Sequence, residues 1–213
     1  MNTYIENQSI RILEAGGELF GKVRVPGDKS ISHRAIMCGA LATNKSHFTN
    51  FLWSEDCLNT LEIFQKLGVN IQSNQEKKEV VIQGVGLKGL KPSRNALDVG
   101  NSGTSLRLLA GILAGQSFTS ILQGDASIHT RPMKRISDPL SLMGARITGH
   151  ESNQNLYPPL TVSPVKKLHA IHYTLPMASA QVKSAILLAS LYAKETTEII
   201  EPIACRDHTE RVL

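Results

Sequence analysis

The residues best suited to chemistry in this chain follow a tight turn near its N-terminus. Lys29, Ser30 and Arg34 come directly after the turn signal Pro26-Gly27. Asp28 or Ser30 can cap a helix at this point, because each has a short side-chain acceptor for the free N–H groups of a first turn. A lysine, a hydroxyl, an arginine and exposed amides at a helix start favour an anion, so the segment is a candidate phosphate site.

Two other interpretations of this segment were weighed against a phosphate site. A capped helix with two solvated cations would show the same pattern. A nucleotide-hydrolase loop is disfavoured, because the Walker A pattern places lysine directly after glycine, whereas Asp28 separates Gly27 from Lys29. The spacing from Gly21 is also one residue too long for that pattern.

Composition and charge narrow the class of protein. The chain has 213 residues, of which 41% are hydrophobic and 19% charged, which suits a globular protein of one large or two small domains. It has no transmembrane run of about twenty apolar residues, and the polar start Met1–Ser9 lacks the features of a signal peptide. Cys38, Cys57 and Cys205 are odd in number and widely spaced, which predicts reduced thiols in the cytoplasm rather than disulfides or zinc ligands.

The positive charge is scattered rather than concentrated. The net charge is +5, with no basic block of the kind that marks nucleic-acid-binding tails. Aromatic residues make up only 5% of the chain, so few rings are available to stack on nucleic-acid bases. A small anionic substrate explains the positive excess better than a nucleic acid does.

A strand, a polar turn and an apolar helix recur three times, at intervals of about 70 residues, which indicates repeated units that bury a common core. The apolar helices are predicted at Ser30–Ala42, Ser105–Ala114 and Val182–Ala193. Each is apolar nearly all round, as in a helix buried on every side. Amphipathic helices lie between them, one predicted at Cys57–Leu67 with Asp56 as its cap, the other at Met133–Met143 with a kink or restart at Pro139.

Alternating or apolar runs between turn signals predict the strands. Gly144–Ile147 repeats the pattern of Gly68–Ile71, which supports a repeated unit. The predicted strands are Ile10–Leu13 and Leu19–Val25 around a turn at Gly16-Gly17, followed by His47–Leu52, Val69–Ile71, Glu79–Gln83, Ala96–Gly100, Thr119–Leu122, Ile171–Leu175 and Glu198–Ile200.

Parallel buried helices in the centre, with sheets and amphipathic helices outside, would invert the usual α/β barrel, in which the strands are central. The expected fold is therefore α/β: an inside-out α/β barrel built from repeated βαβαββ units. Its central helices would gather their N-terminal ends, and with them the polar turns Lys29-Ser30, Asn101–Thr104 and Ser179–Gln181, at one site near Arg34 and Arg107. Converging helix dipoles attract anions. The plainer alternative is three ordinary caps with no shared site.

Four motifs in this order resemble those of the 5-enolpyruvylshikimate-3-phosphate synthases. They are Gly27–Arg34, Gly100–Thr104, Arg131–Arg135 and Ala178–Gln181. The resemblance extends over essentially the whole chain from Gly16. The sister family of UDP-N-acetylglucosamine enolpyruvyl transferases shares the fold, but it typically has Lys-Asn in place of Lys29-Ser30 and a reactive cysteine in a loop that here, at residues 125–131, has none.

The resemblance implies a reaction and its partners. The enolpyruvyl group of phosphoenolpyruvate would be transferred to the 5-hydroxyl of shikimate 3-phosphate, with release of phosphate, on the pathway to chorismate and the aromatic amino acids. It implies no metal, no organic cofactor, no nucleic acid and no membrane, and a monomer when the chain is full length. Both substrates carry a phosphate and a carboxylate, so fixed cations and amides must offset the repulsion among about four anionic groups.

Site residues follow from the same resemblance. Lys29 is similar to a lysine that touches both substrates and can move a proton, which makes it the expected catalytic residue. The expected phosphoenolpyruvate ligands are Lys29, Gly103, Arg131 and Gln181. The expected shikimate 3-phosphate ligands are Lys29, Ser30, Arg34, Ser179, Ala180, Gln181 and Arg206. His33, His129 and His208 lie near these positions and are expected to be solvated, without a chemical role.

Two departures resemble the second sequence class of the family, whose members often tolerate glyphosate. Many other members have two serines in place of Ser179-Ala180, and many have proline in place of Leu108, after Arg107. Gly103 has not become alanine, so glyphosate tolerance is left open.

The resemblance covers only the first half of the family's length. Residues 21–213 are expected to form the first of two similar domains, incomplete in its third repeat, and residues 1–20 to pack into the second domain. The acidic proton acceptor and donor of the family would lie in that second domain. We therefore expect a truncated form, a proteolytic fragment or one piece of a longer chain, which alone binds shikimate 3-phosphate weakly and turns over nothing. A non-catalytic anion-binding module is the alternative.

Overall fold

The computed structural model of this chain describes residues 2–5, 8–11, 16 and 20–213. Helices and strands alternate along the chain in a pattern that occurs twice in full and starts a third time. In order they are β1 Asn2–Ile5, β2 Gln8–Arg11, α1 Lys29–Leu41, β3 Lys45–Phe48, α2 Glu55–Lys66, β4 Asn70–Asn74, β5 Glu79–Gln83, β6 Leu97–Asp98, α3 Gly103–Ala114, β7 Ser120–Gln123, α4 Ala126–His129, α5 Lys134–Leu142, β8 Arg146–Ser152, β9 Asn155–Ser163, β10 His172–Thr174, α6 Ala180–Ser190, β11 Glu198–Ile200 and α7 His208–Val212.

The sheets repeat one topology. In the first unit β5 lies between β3 and β4, antiparallel to both. In the second unit the order is β6-β7-β9-β8, with β6 and β7 parallel and the other pairs antiparallel. In the third unit β10 and β11 are again parallel, as strands joined through a helix are expected to be. A separate pair, β1 and β2, is antiparallel.

Side-chain caps fix the start of each apolar helix. Asp28 Oδ1 accepts a hydrogen bond from Ile31 N at 2.8 Å, Ser102 Oγ from Ser105 N at 3.2 Å, and Ser179 Oγ from Val182 N at 3.4 Å. Each cap satisfies one of the N–H groups that a first helical turn leaves without a partner. The remaining free amides at these ends stay available to a ligand.

The apolar helices are buried, as predicted. Every residue of α3 except Thr104 is buried, and its neighbour α6 is buried from Val182 to Ala189 apart from Leu187. Thr104 lies beside Gln181 near the start of both helices, and Gly115 lies against the Tyr192 ring near their ends, so α3 and α6 run parallel. At Gly111 the helices approach so closely that a Cβ atom would overlap the Ala185 carbonyl oxygen.

The amphipathic helices cover this core. In α2 the predicted stripe is buried at Leu61, Phe64 and Leu67. The expected cap of this helix was wrong, because α2 begins at Glu55 after Ser54, and Asp56 instead lies inside its first turn. Helix α5 continues through Pro139 without restarting, although an interior proline removes one backbone N–H donor from the helix.

The prediction of a strand ending at Val25 was wrong for residues 20–25, which adopt no regular structure. Val23 and Val25 are 88% and 67% exposed. Within the described residues no strand pairs with this segment, and an alternating pattern forms a strand only with a hydrogen-bonding neighbour. Of the preceding predictions, Ile10 and Arg11 lie in β2, whereas residues 12, 13, 17 and 19 lie outside the described residues.

Some elements have no counterpart in the sequence analysis. These are β1, the short helix α4 and the long strand β9, which contains Pro158 and Pro159. In the part of the chain that the structure describes, no helix is long and apolar enough to cross a membrane.

Candidate active site

Four of the predicted residues meet in one open cavity of about 350 Å³ at the N-terminal ends of α1, α3 and α6. They are Lys29, Gly103, Arg131 and Gln181. A second open cavity of about 380 Å³, between α5 and the β8–β9 turn, contains none of the predicted residues. The chemistry of its lining, not its size, therefore identifies the first cavity as the site. The remaining lining residues of the site are Asp56, Asn101, Ser102, Thr104 and Ser127.

Hydrogen bonds join the first turns of the apolar helices at this cavity. Gln181 Nε2 of α6 donates to Thr104 Oγ1 of α3 at 2.9 Å. Arg34 Nη2 of α1 donates to Ser184 Oγ of α6 at 2.8 Å. Side chains from separate repeats therefore hold these helix ends together, and the free amides and positive dipole ends face a common space.

The lysine at the start of α1 has an acidic partner that sequence reasoning missed. Lys29 Nζ lies 2.8 Å from Asp56 Oδ2, and this hydrogen bond together with the Asp56 charge raises the pKa of Lys29. The Lys29 side chain remains 54% exposed, whereas that of Asp56 is only 16% exposed. Asp56 thus orients a protonated lysine whose free N–H bonds point into open space, where an anion could replace the carboxylate.

Arginines surround Gly103. A Cβ atom at this position would lie 2.5 Å from Arg107 Nη1 and 2.8 Å from Arg131 Nη1, so only glycine leaves both guanidinium groups room. Arg107 is buried and donates to the Gly103 carbonyl oxygen at 3.1 Å. Burial, reinforced by the charges of Arg135 and Arg131, lowers the pKa of Arg107 to about 10. Like charges this close repel one another, and a bound anion would reduce that repulsion.

Arg34 is a predicted ligand that the structure places beside the cavity, not in its lining. It is buried and donates to Thr209 Oγ1 at 2.7 Å, to the Ser30 carbonyl oxygen at 2.9 Å and to Ser184 Oγ. Burial lowers the pKa of Arg34, and the nearby charge of Arg206 lowers it further. Arg34 and the exposed Arg206 thus form a second cationic pair close to the α6 N-terminus.

The other predicted residues lie at the edges of these groups. Ser30 is half-buried directly after Lys29, and its backbone oxygen is a partner of Arg34. Ser179 and Ala180 are half-buried at the start of α6, immediately before Gln181, but neither lines the cavity. Their backbone amides lie at the N-terminal end of α6, from which they could bind a phosphate.

The expectation that His33 is solvated was wrong. His33 is 1% exposed, with Nδ1 2.8 Å from Thr60 Oγ1 and 3.4 Å from Ser105 Oγ. Ser105 Oγ is in turn 2.8 Å from Ser102 Oγ, the cap of α3. Burial lowers the pKa of His33 to about 4, so the ring is neutral at pH 7. This polar chain links α1, α2 and α3 beneath the cavity.

Signals for the missed residues were weak. Asn101, Ser102 and Thr104 had been recognised as a turn, and only their side-chain contacts were unforeseen. Asp56 and Ser127 were not associated with the site, because nothing local in the sequence ties an aspartate to a lysine 27 residues earlier. Among the described residues there is no group of three or more His, Cys, Asp or Glu side chains suited to a metal ion.

Comparison with known proteins identifies the family. A model of the family EPSP synthase (3-phosphoshikimate 1-carboxyvinyltransferase) matches residues 13–213. The 3-phosphoshikimate 1-carboxyvinyltransferases of Hydrogenovibrio crunogenus and Alkalilimnicola ehrlichii are 55% and 56% identical to the chain, over 94% and 93% of its length. Each match covers 44% of the relative, so the chain spans less than half the length of these proteins.

Solved structures agree. The EPSP synthase of Acinetobacter baumannii, in a structure at 2.37 Å resolution, superposes with a TM-score of 0.85 at 52% identity, over 90% of this chain and 42% of that one. A second structure of the same enzyme gives a TM-score of 0.86. The α/β fold is thus that of the enolpyruvyl transferases, and the chain belongs to the EPSP synthase family.

Proposed function

We propose that this chain forms the first domain of a 3-phosphoshikimate 1-carboxyvinyltransferase. The complete enzyme would transfer the enolpyruvyl group of phosphoenolpyruvate to the 5-hydroxyl of shikimate 3-phosphate and release phosphate. One observation carries the proposal: Lys29, Gly103 and Gln181, from three separate repeats, line one cavity together with Arg131. Relatives that are 55% and 56% identical to the chain are 3-phosphoshikimate 1-carboxyvinyltransferases, which supports this reaction for the residues that line the cavity.

The cavity suits phosphoenolpyruvate. Its phosphate and carboxylate need several cations within a few ångströms, which Lys29 and Arg131 supply from the lining, with Arg107 close to Gly103. Arginine can grip a carboxylate or phosphate with two parallel hydrogen bonds, whereas lysine can also hold or pass a proton. We assign phosphoenolpyruvate binding to Lys29, Gly103, Arg131 and Gln181.

Shikimate 3-phosphate would occupy the adjoining space at the start of α6. Ser179, Ala180 and Gln181 would hold its 3-phosphate through the first-turn amides and the Gln181 side chain. Arg34 and Arg206 supply positive charge beside them. Ser30 and Lys29 would contact the ring substituents, which would place the 5-hydroxyl near phosphoenolpyruvate. Because Lys29 lies between both sets of residues, we assign it the proton movement that accompanies addition.

The organisation of the complete enzyme belongs to the same proposal. Residues 21–213 would form most of one inside-out α/β barrel of βαβαββ units, and residues 1–20 would pack with a second domain that supplies the acidic proton acceptor and donor. The enzyme would work in the cytoplasm as a monomer, without a cofactor, nucleic acid or membrane. The pathway would be that of chorismate and aromatic amino-acid biosynthesis.

Binding and turnover of the purified chain test this proposal separately. Titration with shikimate 3-phosphate, followed by Trp53 fluorescence and by thermal stability, should show weak saturable binding. Adding phosphoenolpyruvate should release no phosphate, because half of the catalytic groups would be missing. Phosphate release by this chain alone would refute the claim that a second domain supplies part of the catalytic site. Absence of shikimate 3-phosphate binding would refute the substrate assignment.

A matched pair of variants tests the assigned residues. Arg131→Gln removes a cation from the cavity, whereas Arg146→Gln removes an exposed arginine of β8. In a longer enzyme that contains both domains, Arg131→Gln should raise KM for phosphoenolpyruvate at least tenfold, and Arg146→Gln should leave it unchanged. A non-catalytic anion-binding module would instead bind unrelated phosphate monoesters as tightly as shikimate 3-phosphate.

A further inference from the structure

An ion-pair cluster centred on a buried lysine lies next to the proposed shikimate 3-phosphate site. The Lys183 side chain of α6 is 4% exposed, and its Nζ is 2.7 Å from Glu201 Oε2. It also forms an ion pair with Glu210 of α7. Burial alone would lower the pKa of Lys183, but the hydrogen bonds to these two carboxylates outweigh it and raise the pKa. One ammonium group thus pairs with two carboxylates that lie on either side of Arg206 in the sequence.

These carboxylates lie next to the cationic pair Arg34 and Arg206. Glu210 follows Thr209, whose hydroxyl accepts the Arg34 Nε–H bond and lies 2.6 Å from Ser184 Oγ. The negative charge of Glu210 acts to raise the pKa of Arg34, against the effect of burial, which places it within electrostatic range. Glu201 accepts hydrogen bonds from the backbone N–H and the thiol of Cys205, directly before Arg206.

We infer that Lys183 is a positioning residue that keeps Glu201 and Glu210 away from Arg34 and Arg206, so that both arginines stay free for an anionic substrate. This inference rests on the proposed function. Without the ammonium group, two carboxylates whose side chains are only 25% and 35% exposed would lose their cation beside two arginines and would pair with them, because opposite charges attract strongly where water is partly excluded. The carboxylates would then compete with the phosphate of the substrate.

The position of Lys183 argues for this role over simple helix stabilisation. Its own helix already has a side-chain cap at Ser179, and α7 is already joined to α1 and α6 through Thr209. Lys183 adds the one cation to a group of side chains that otherwise holds only carboxylates and a thiol. A methionine would fill a similar volume but leave both carboxylates without a cation.

Substitutions in the 213-residue chain test the inference, with shikimate 3-phosphate as the titrant. Lys183→Met should weaken binding at least tenfold, and Lys183→Met combined with Glu201→Gln and Glu210→Gln should restore it to within threefold of the unmodified chain. Restoration is the result that a purely structural role would not produce. Lys166→Met, at an exposed lysine, is the matched control and should change nothing.

Two further measurements test the inference even if the Lys183→Met chain does not fold. Glu210→Gln alone should alter affinity by less than threefold, because Lys183 already neutralises that carboxylate; a tenfold gain in affinity would overturn the inference. A crystal structure of Lys183→Met, or of Lys183→Gln if that folds better, should show Glu201 or Glu210 within 4 Å of the Arg34 or Arg206 guanidinium.

The outcomes separate this inference from the proposed function. If the unmodified chain binds no shikimate 3-phosphate, the function fails, and the variant structure alone decides whether the carboxylates move to the arginines. If the chain binds but the triple variant is as weak as Lys183→Met, or the carboxylates stay away from both arginines, the inference is wrong.

Discussion

Gly111→Ala should disrupt the contact that brings the helices of the second and third repeats together. At this position α3 approaches the backbone of α6, and an added Cβ atom would overlap the Ala185 carbonyl oxygen and lie 3.0 Å from the carbonyl carbon. No side-chain rotation can relieve a clash with backbone atoms. The helices would have to separate, and the Gln181–Thr104 hydrogen bond at their N-terminal ends would be strained with them.

The expected loss of stability follows from two opposing effects. Overpacking a buried contact costs up to about 3 kcal/mol, and a backbone clash belongs at the upper end of that range. Replacing glycine within a helix by alanine returns about 1 kcal/mol. The net loss is therefore about 2 kcal/mol, which corresponds to a decrease in Tm of roughly 4–8 °C for a chain of this size.

Gly39→Ala is the matched control. Gly39 is also buried inside an apolar helix, but an added Cβ atom would meet only the side-chain ends of Ile82 and Phe48, both at 3.0 Å. Because these side chains can shift, its unfolding free energy should stay within about 1 kcal/mol of the unmodified chain. Urea unfolding followed by Trp53 fluorescence compares the variants, and a Gly111→Ala chain as stable as Gly39→Ala would refute the close parallel packing.

Three further results are expected. Asp56→Asn should tighten the binding of inorganic phosphate a few-fold, measured by calorimetry, since it removes a carboxylate from an anion site. The loss of stability should be no more than about 1 kcal/mol, because Lys29 is half exposed. Weaker phosphate binding would show that the orientation of Lys29 by Asp56 matters more than the charge of Asp56. His33 has its pKa lowered to about 4, so the unfolded chain binds a proton between pH 6.5 and 4 that the folded chain does not. As the pH is lowered over that range, the free energy of unfolding should therefore fall by roughly 3 kcal/mol more in the unmodified chain than in His33→Gln. Equal changes in the urea midpoints of the two chains would contradict the burial of His33. Burial raises the pKa of the Cys38 thiol to about 11. Its labelling by iodoacetamide at pH 8, measured by mass spectrometry, should therefore be about 100-fold slower in the folded chain than in the urea-unfolded chain. Equal labelling rates would contradict the raised pKa.

Local signals in the sequence were sufficient to predict the helices that form the site. Asp28 was one of two candidate caps in its turn, with Ser30, and the small apolar residues of α3 and α6 indicated burial on every side. These features depend on residues a few positions apart, which is why one sequence was enough.

Contacts between distant residues could not be predicted in this way. The Lys29–Asp56 ion pair and the Arg34–Thr209 hydrogen bond join residues 27 and 175 positions apart. Burial of His33 depends on helices from other repeats, which no local pattern reveals. The error at Val23 and Val25 has a similar origin, since an alternating run specifies a strand only when a neighbouring strand accepts its hydrogen bonds.

The central claim is that helix N-termini from three repeats form one anion site, and amide NMR measures this most directly. During titration of the isotope-labelled chain with shikimate 3-phosphate, the amide signals of Ser30, Gly103 and Gln181 should shift together and fit a single Kd. Shifts confined to one of the three turns, or separate Kd values for each, would contradict a shared site.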